Sequence, residues 1–148
     1  MSELTIREIE RGEIPEVIAL WQAAGLLRPW NDPETDIAFA LDQPNATILA
    51  GFDGGRIVAS VMVGHDGHRG TVYYVSVHPD QRRTGAGRQI MAAAEEWLRG
   101  KGVWKVNLMV RTGNEEACGF YGALGYRDSH VTVLERWIDP SKQFAEKP

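Results

Sequence analysis

A mixed α/β fold, one sheet of six to seven strands with helices on both faces, is the architecture this sequence predicts. Residues 46–52, 56–64 and 71–77 are three strand-like runs separated only by turns. The last of them ends at Pro79 in a glycine-bearing loop, after which residues 89–98 read as a helix leading to a further strand at 103–110. A meander followed by a crossover demands both antiparallel and parallel neighbours in one sheet. Size agrees: 148 residues, 43% apolar and 24% charged, suit a single domain over residues 1–148 with a real core.

The remaining elements follow from local pattern. Residues 4–9 alternate apolar and polar, as a half-buried strand does, and Gly12 breaks the run. A helix is expected over 13–24, with Pro15 and early glutamates suiting its first turn. Ile14, Val17, Ile18 and Trp21 give that helix one apolar stripe, and Gly25 ends it. In the turn-rich loop 26–33, Asp32 is placed to cap a helix with Pro33 at its first position, which stops before Pro44. Asp53-Gly54-Gly55 between alternating runs is a hairpin signal, and residues 65–70 form a second turn. Asn114 is expected to cap a helix over 115–124, and 126–137, with Val131, Val133 and Leu134, reads as a last strand. The polar segment 139–148 is expected to be a loose tail.

Composition narrows the classes. A net charge of −4 argues against general nucleic-acid binding. One cysteine, Cys118, excludes an internal disulfide and a thiol-rich zinc site and fits a reducing compartment. No stretch approaches the ~20 apolar residues of a membrane span, and the N-terminus lacks the charged-then-apolar pattern of a secretion signal. The expectation is a cytoplasmic protein without nucleic-acid or membrane partners.

Residues 75–88 carry the main chemical signal. Strand, glycine loop and helix make an anion site, because glycine lets the backbone approach and the first N–H groups of a helix are free. Arg82, Arg83 and Arg88 add charge suited to a diphosphate. The loop lacks the Gly-Lys-Ser/Thr ending of a Walker loop, and Arg82 stands where a dinucleotide fingerprint has its first glycine. A plain helix-entry turn would explain the two glycines but not the arginines with them.

The stretch Arg82-Arg83-Thr84-Gly85-Ala86-Gly87 resembles the Arg/Gln-x-x-Gly-x-Gly/Ala signature of the GNAT superfamily of N-acetyltransferases. Asn114, Ala117, Tyr121 and Gly125-Tyr126 resemble its second motif, and the element order is similar to the GNAT fold along the whole chain. The loop 26–33, the turn 65–70 and Tyr73-Tyr74 further resemble the small bacterial YpeA-type subgroup. The resemblance implies transfer of an acetyl group from acetyl-CoA (acetyl-coenzyme A) to a primary amine of a small molecule or peptide, by direct attack in a ternary complex. It implies that Arg82 and the backbone of Arg83, Thr84, Gly85, Ala86, Gly87 and Arg88 cradle the pyrophosphate. The main chain of Val75 and Val77 would pair with the pantetheine arm at a splay beside the next parallel strand. A backbone N–H there, such as that of Val75, would serve the oxyanion. Asn114 would contact the arm, and Tyr121 would act as general acid. Homodimers are frequent in the family.

Several positions keep two readings. Tyr121 is the acid or simply core, and Asn114 is a cofactor contact, a helix cap or both. Cys118 reads as a small buried thiol rather than a nucleophile, since no histidine lies near it in sequence. Some family members carry a glutamate base where this chain has Met109, which keeps a non-catalytic acyl-CoA-binding module as the alternative. Base candidates elsewhere are His65, Asp66, His68 and Glu34, or ordered water alone. Arg28, Trp30, Asn31, Glu34, His65, Asp66, His68 and Tyr74 are candidate acceptor contacts, although Trp30 also reads as a loop anchor. His65-Asp66-Gly67-His68 also reads as an ordinary polar turn, and no metal site is expected.

Overall fold

In the computed structural model, which describes residues 3–143, the chain divides into two units, Met1–Leu108 and Met109–Pro148. The first holds β1 (Thr5–Glu8), α1 (Ile14–Ala23), α2 (Pro33–Leu41), β2 (Ala46–Asp53), β3 (Arg56–His65), β4 (Gly70–Val77), α3 (Ala86–Gly100) and β5 (Val106–Asn107). The second holds α4 (Glu115–Ala123). The sheet order is β1-β2-β3-β4-β5, antiparallel up to β4 and parallel between β4 and β5. A parallel neighbour requires a crossover, and α3 supplies it.

Local chemistry accounts for these elements. Gly54 and Gly55 have φ of 58° and 84°, the two positive values that a type I′ hairpin turn needs, and they fix Asp53 opposite Arg56. Asp32 caps α2 by accepting from Glu34 N, with Pro33 in the first turn. α3 starts at Ala86, three residues earlier than its apolar pattern suggests, because Gly85 (φ 89°) turns the chain directly into the helix. Gly87 and Arg88 therefore stand in the first turn.

β2 and β3 are buried over most of their length, as strands covered on both faces must be. On one face Val17, Leu20 and Trp21 of α1 and Ile37 and Ala40 of α2 pack with Ile48. Leu49, Val61, Val63 and Val72 have the alternate parity and face α3, which buries Ile90, Met91, Ala94 and Leu98. Gly70 opens β4 on that side because nothing larger fits. A Cβ there would lie 2.5 and 2.8 Å from the two methyl groups of the buried Leu98. Gly70→Ala is expected to lose about 1–3 kcal/mol in denaturant unfolding. The double change Gly70→Ala/Leu98→Ala should lose less than the two single losses added, since the clash is then gone.

Two expectations are corrected. Among the described residues the sheet has five strands rather than six to seven, and β5 is confined to Val106–Asn107. Residues 126–137 have the alternation of a strand, but among the described residues they join no ladder. Alternation expresses a preference, whereas a strand exists only with a hydrogen-bonded neighbour. In the expected tail, Pro140–Lys142 form a short 3-10 turn capped by Asp139, and residues 144–148 lie outside the described residues.

Candidate functional site

The glycine loop is pinned before it begins. His78 Nδ1 accepts from Asp80 N at 3.1 Å, and Asp80 lies 3.5 Å from Arg56. Gln81 Nε2 donates to Asp53 at 3.3 Å, so the β2–β3 hairpin braces the turn Pro79–Gln81. Thr84 Oγ1 then donates back to Gln81 O at 2.5 Å. Arg83 takes a left-handed conformation (φ 64°), unusual for a residue with a side chain. The first bond of α3 runs from Gln89 N to Gly85 O, which leaves the N–H groups of Ala86, Gly87 and Arg88 without intrahelical acceptors. Arg82, Arg83 and Arg88 are exposed, and among the described residues none has an ion-pair partner. This cluster of free donors and unneutralised cations fits a diphosphate in charge and hydrogen-bonding capacity.

β4 leads into this loop with one edge open. Its parallel pairing with β5 covers only Gly70 and Thr71, so among the described residues 72–77 have no strand partner on that side. A bulge lies within the same segment. Ser60 pairs with Ser76 and Met62 with Tyr73, so Tyr74 and Val75 together face Val61 alone. Tyr74 absorbs the extra residue at φ 53°. Beneath the bulge the buried Trp21 donates from Nε1 to Ser60 Oγ at 2.9 Å, and Ser60 Oγ lies 2.7 Å from Ser76 Oγ. The indole also stacks on Tyr74, with centroids 3.9 Å apart and planes at 4°. Tyr74 Oη donates to Asp36 Oδ2 at 2.7 Å. Burial, and secondarily Asp36, pushes the Tyr74 hydroxyl well above the usual tyrosine range, so it is a neutral donor at physiological pH.

Tyr74 is thus set beside Val75, Val77 and the loop, whereas the histidine turn is not. That turn joins β3 to the start of β4, a strand length of roughly 23 Å from the glycine loop. Its polar groups serve the turn itself. Asp66 Oδ1 accepts from His68 N and Arg69 N at 2.9 and 2.8 Å, which holds its carboxyl below the ordinary range, and His65 Nδ1 accepts from Gly67 N. Among the described residues no cluster of His, Cys, Asp or Glu suits a metal. Arg28 Nη1 donates to the carbonyls of Gly25 and Leu27, so its guanidinium is turned onto its own loop. Asn31 and Glu34 are exposed and Trp30 is half-buried.

In the second unit, Asn114 Oδ1 caps α4 by accepting from Ala117 N at 3.0 Å. Tyr121 meets Phe120 and Tyr126 edge-on, with centroids 4.9 and 5.8 Å apart, and burial raises its hydroxyl pKa.

Sequence reading missed the polar side of this arrangement. Trp21 was legible as core, but its N–H bond to the serines was not. Ser60 and Ser76 interrupt apolar strands at buried positions, and such interruptions are the one available signal for a buried polar pair.

The Acetyltransferase (GNAT) family matches residues 14–126. An acetyltransferase of Yersinia enterocolitica is 41% identical over 141 residues, covering 95% of this chain and all of the relative. One of Sodalis glossinidius is 40% identical over 138 residues, covering 92% and 97%. Among solved structures, AAC(6')-Iy with the bisubstrate analog CoA-S-monomethyl-acetylneamine superposes with a TM-score of 0.79 at 16% identity, covering 92% of this chain and 99% of that one.

Proposed function

The chain belongs to the GNAT acetyltransferase family, and from that premise we propose that it transfers an acetyl group from acetyl-coenzyme A to a primary amine by direct attack in a ternary complex. The protein is an acyltransferase, and acetyl-coenzyme A is its acyl donor. The observation that carries the reading is the loop before α3, where free helix N–H groups, Gly85 and three unpaired guanidiniums stand together. Arg82, Arg83 and Arg88 with the backbone of residues 83–88 would hold the diphosphate. The open edge of β4 at Val75 and Val77 would hold the extended arm as an added strand. When bound, the cofactor supplies the acetyl thioester.

The chain's own groups then have separate tasks. Tyr121 holds a proton at Oη for the leaving group, and Asn114, while capping α4, contacts the arm. No carboxylate stands at Met109, the turn bearing His65, Asp66 and His68 lies a strand length from the glycine loop, and Glu34 is exposed, so in this reading the acceptor loses its proton to water. Among the described residues no helix is long and apolar enough to cross a membrane.

Calorimetric titration with coenzyme A, paired with thiol release over a panel of amines, tests this reading. Wild-type protein should bind coenzyme A and release thiol saturably with one amine class. Arg83→Ala/Arg88→Ala should weaken coenzyme A by tenfold or more, on the order of one or two charge-assisted bonds. Binding without thiol release from any amine would favour an acyl-coenzyme A carrier, and absence of binding would overturn the cofactor assignment.

A further inference from the structure

Asp36 is an ionisable group that the glycine-loop chemistry does not use. It sits half-buried on α2, and Oδ2 accepts from Tyr74 Oη. Among the described residues no cationic side chain pairs with it. The neighbouring cation on the loop, Arg28, is committed to two backbone carbonyls. Tyr74 brings no cation to the carboxylate, and its ring is one of two stacked aromatic rings. A half-buried carboxylate with one neutral donor and no cationic partner is open to a cation from outside the chain. Tyr74 is also the bulged residue directly before Val75, where the acyl arm is placed under the acetyl-transfer reading.

We infer that Asp36, held by Tyr74, recognises a second positive charge on the acceptor, so that the preferred acceptors are diamines or comparably dicationic molecules. A nitrogen must be neutral to attack a thioester, whereas an ionised carboxylate favours the ammonium form. Asp36 therefore suits a charge that does not react. This inference rests on the acetyl-transfer reading, and its test separates the two.

Wild type and Asp36→Asn, both with coenzyme A bound, are titrated calorimetrically with α,ω-diamines of three to six carbons and with n-alkylamines of the same lengths. Thiol release from acetyl-coenzyme A is followed with the same compounds. Asp36→Asn keeps the shape and the acceptor for Tyr74 and removes only the charge. At least one diamine should bind wild type tenfold or more above its matched monoamine, the worth of a bond to a charged group. Asp36→Asn should erase that preference while leaving coenzyme A affinity unchanged, which also reports that the variant is folded. The wild-type preference should fall as ionic strength rises, a readout that needs no variant. A wild type that does not prefer diamines, a preference that survives in Asp36→Asn, or one insensitive to salt overturns the inference. Diamine preference without thiol release from any amine would instead sink the acetyl-transfer reading and leave Asp36 as a cation site.

Discussion

Trp21→Ala is expected to remove about 3–5 kcal/mol of folding stability, the cost of deleting a fully buried aromatic ring and leaving part of its volume empty. Against a total of roughly 5–15 kcal/mol for an ordinary domain, that is a large fraction. The indole fills the face shared by α1, α2 and the sheet, stacks on Tyr74 and bonds Ser60. Trp21→Phe separates these contributions. Phenylalanine keeps most of the apolar contact, and Ser60 Oγ retains Ser76 as partner, so about 1 kcal/mol should be lost with the N–H bond. Urea unfolding with unchanged slope would measure both. A loss for Trp21→Ala no larger than that for Trp21→Phe would refute the packing account. Where Trp21→Ala remains folded, the bulge has lost the ring that fixes Tyr74, so coenzyme A affinity should fall as well.

The contrast between Trp21 and Tyr74 marks what sequence could convey. Trp21 falls on a helical stripe with Val17, and the hairpin at Asp53-Gly54-Gly55 is dictated by residues whose φ preferences are intrinsic. Both are local properties. The bulge at Tyr74 is not local: residues 71–77 are a mostly apolar run with no glycine or proline inside it, and the extra residue is defined only by the count against β3. β5 and the run 126–137 fail similarly, because pairing depends on what lies alongside and not on the run itself. At the candidate site, the glycine loop was legible because glycine and arginine announce close approach and charge. The Asp36–Tyr74 bond joins residues far apart in the chain, and nothing near either one announces the other.

Tyr121→Phe should lower kcat by about a hundred- to ten-thousand-fold, the range for losing a positioned general acid. The ring and its edge-on contacts with Phe120 and Tyr126 survive the change, so only the hydroxyl group is removed. Coenzyme A affinity should stay at the wild-type value, and kcat and kcat/KM should fall together, as for an interaction made only in the transition state. pH provides a second readout. Burial raises the Tyr121 pKa, so the protonated acid persists to higher pH than in a free tyrosine, and activity that depends on it should decline only above the ordinary tyrosine range. The declining limb should be absent from the small residual rate of Tyr121→Phe. Normal turnover in that variant would return Tyr121 to an ordinary core residue, and the loss of coenzyme A binding with turnover would make it a packing residue of the cofactor site. Reduced kcat with intact binding and a missing alkaline limb would fix its role, since a structural contact alone moves neither the limb nor kcat at unchanged affinity.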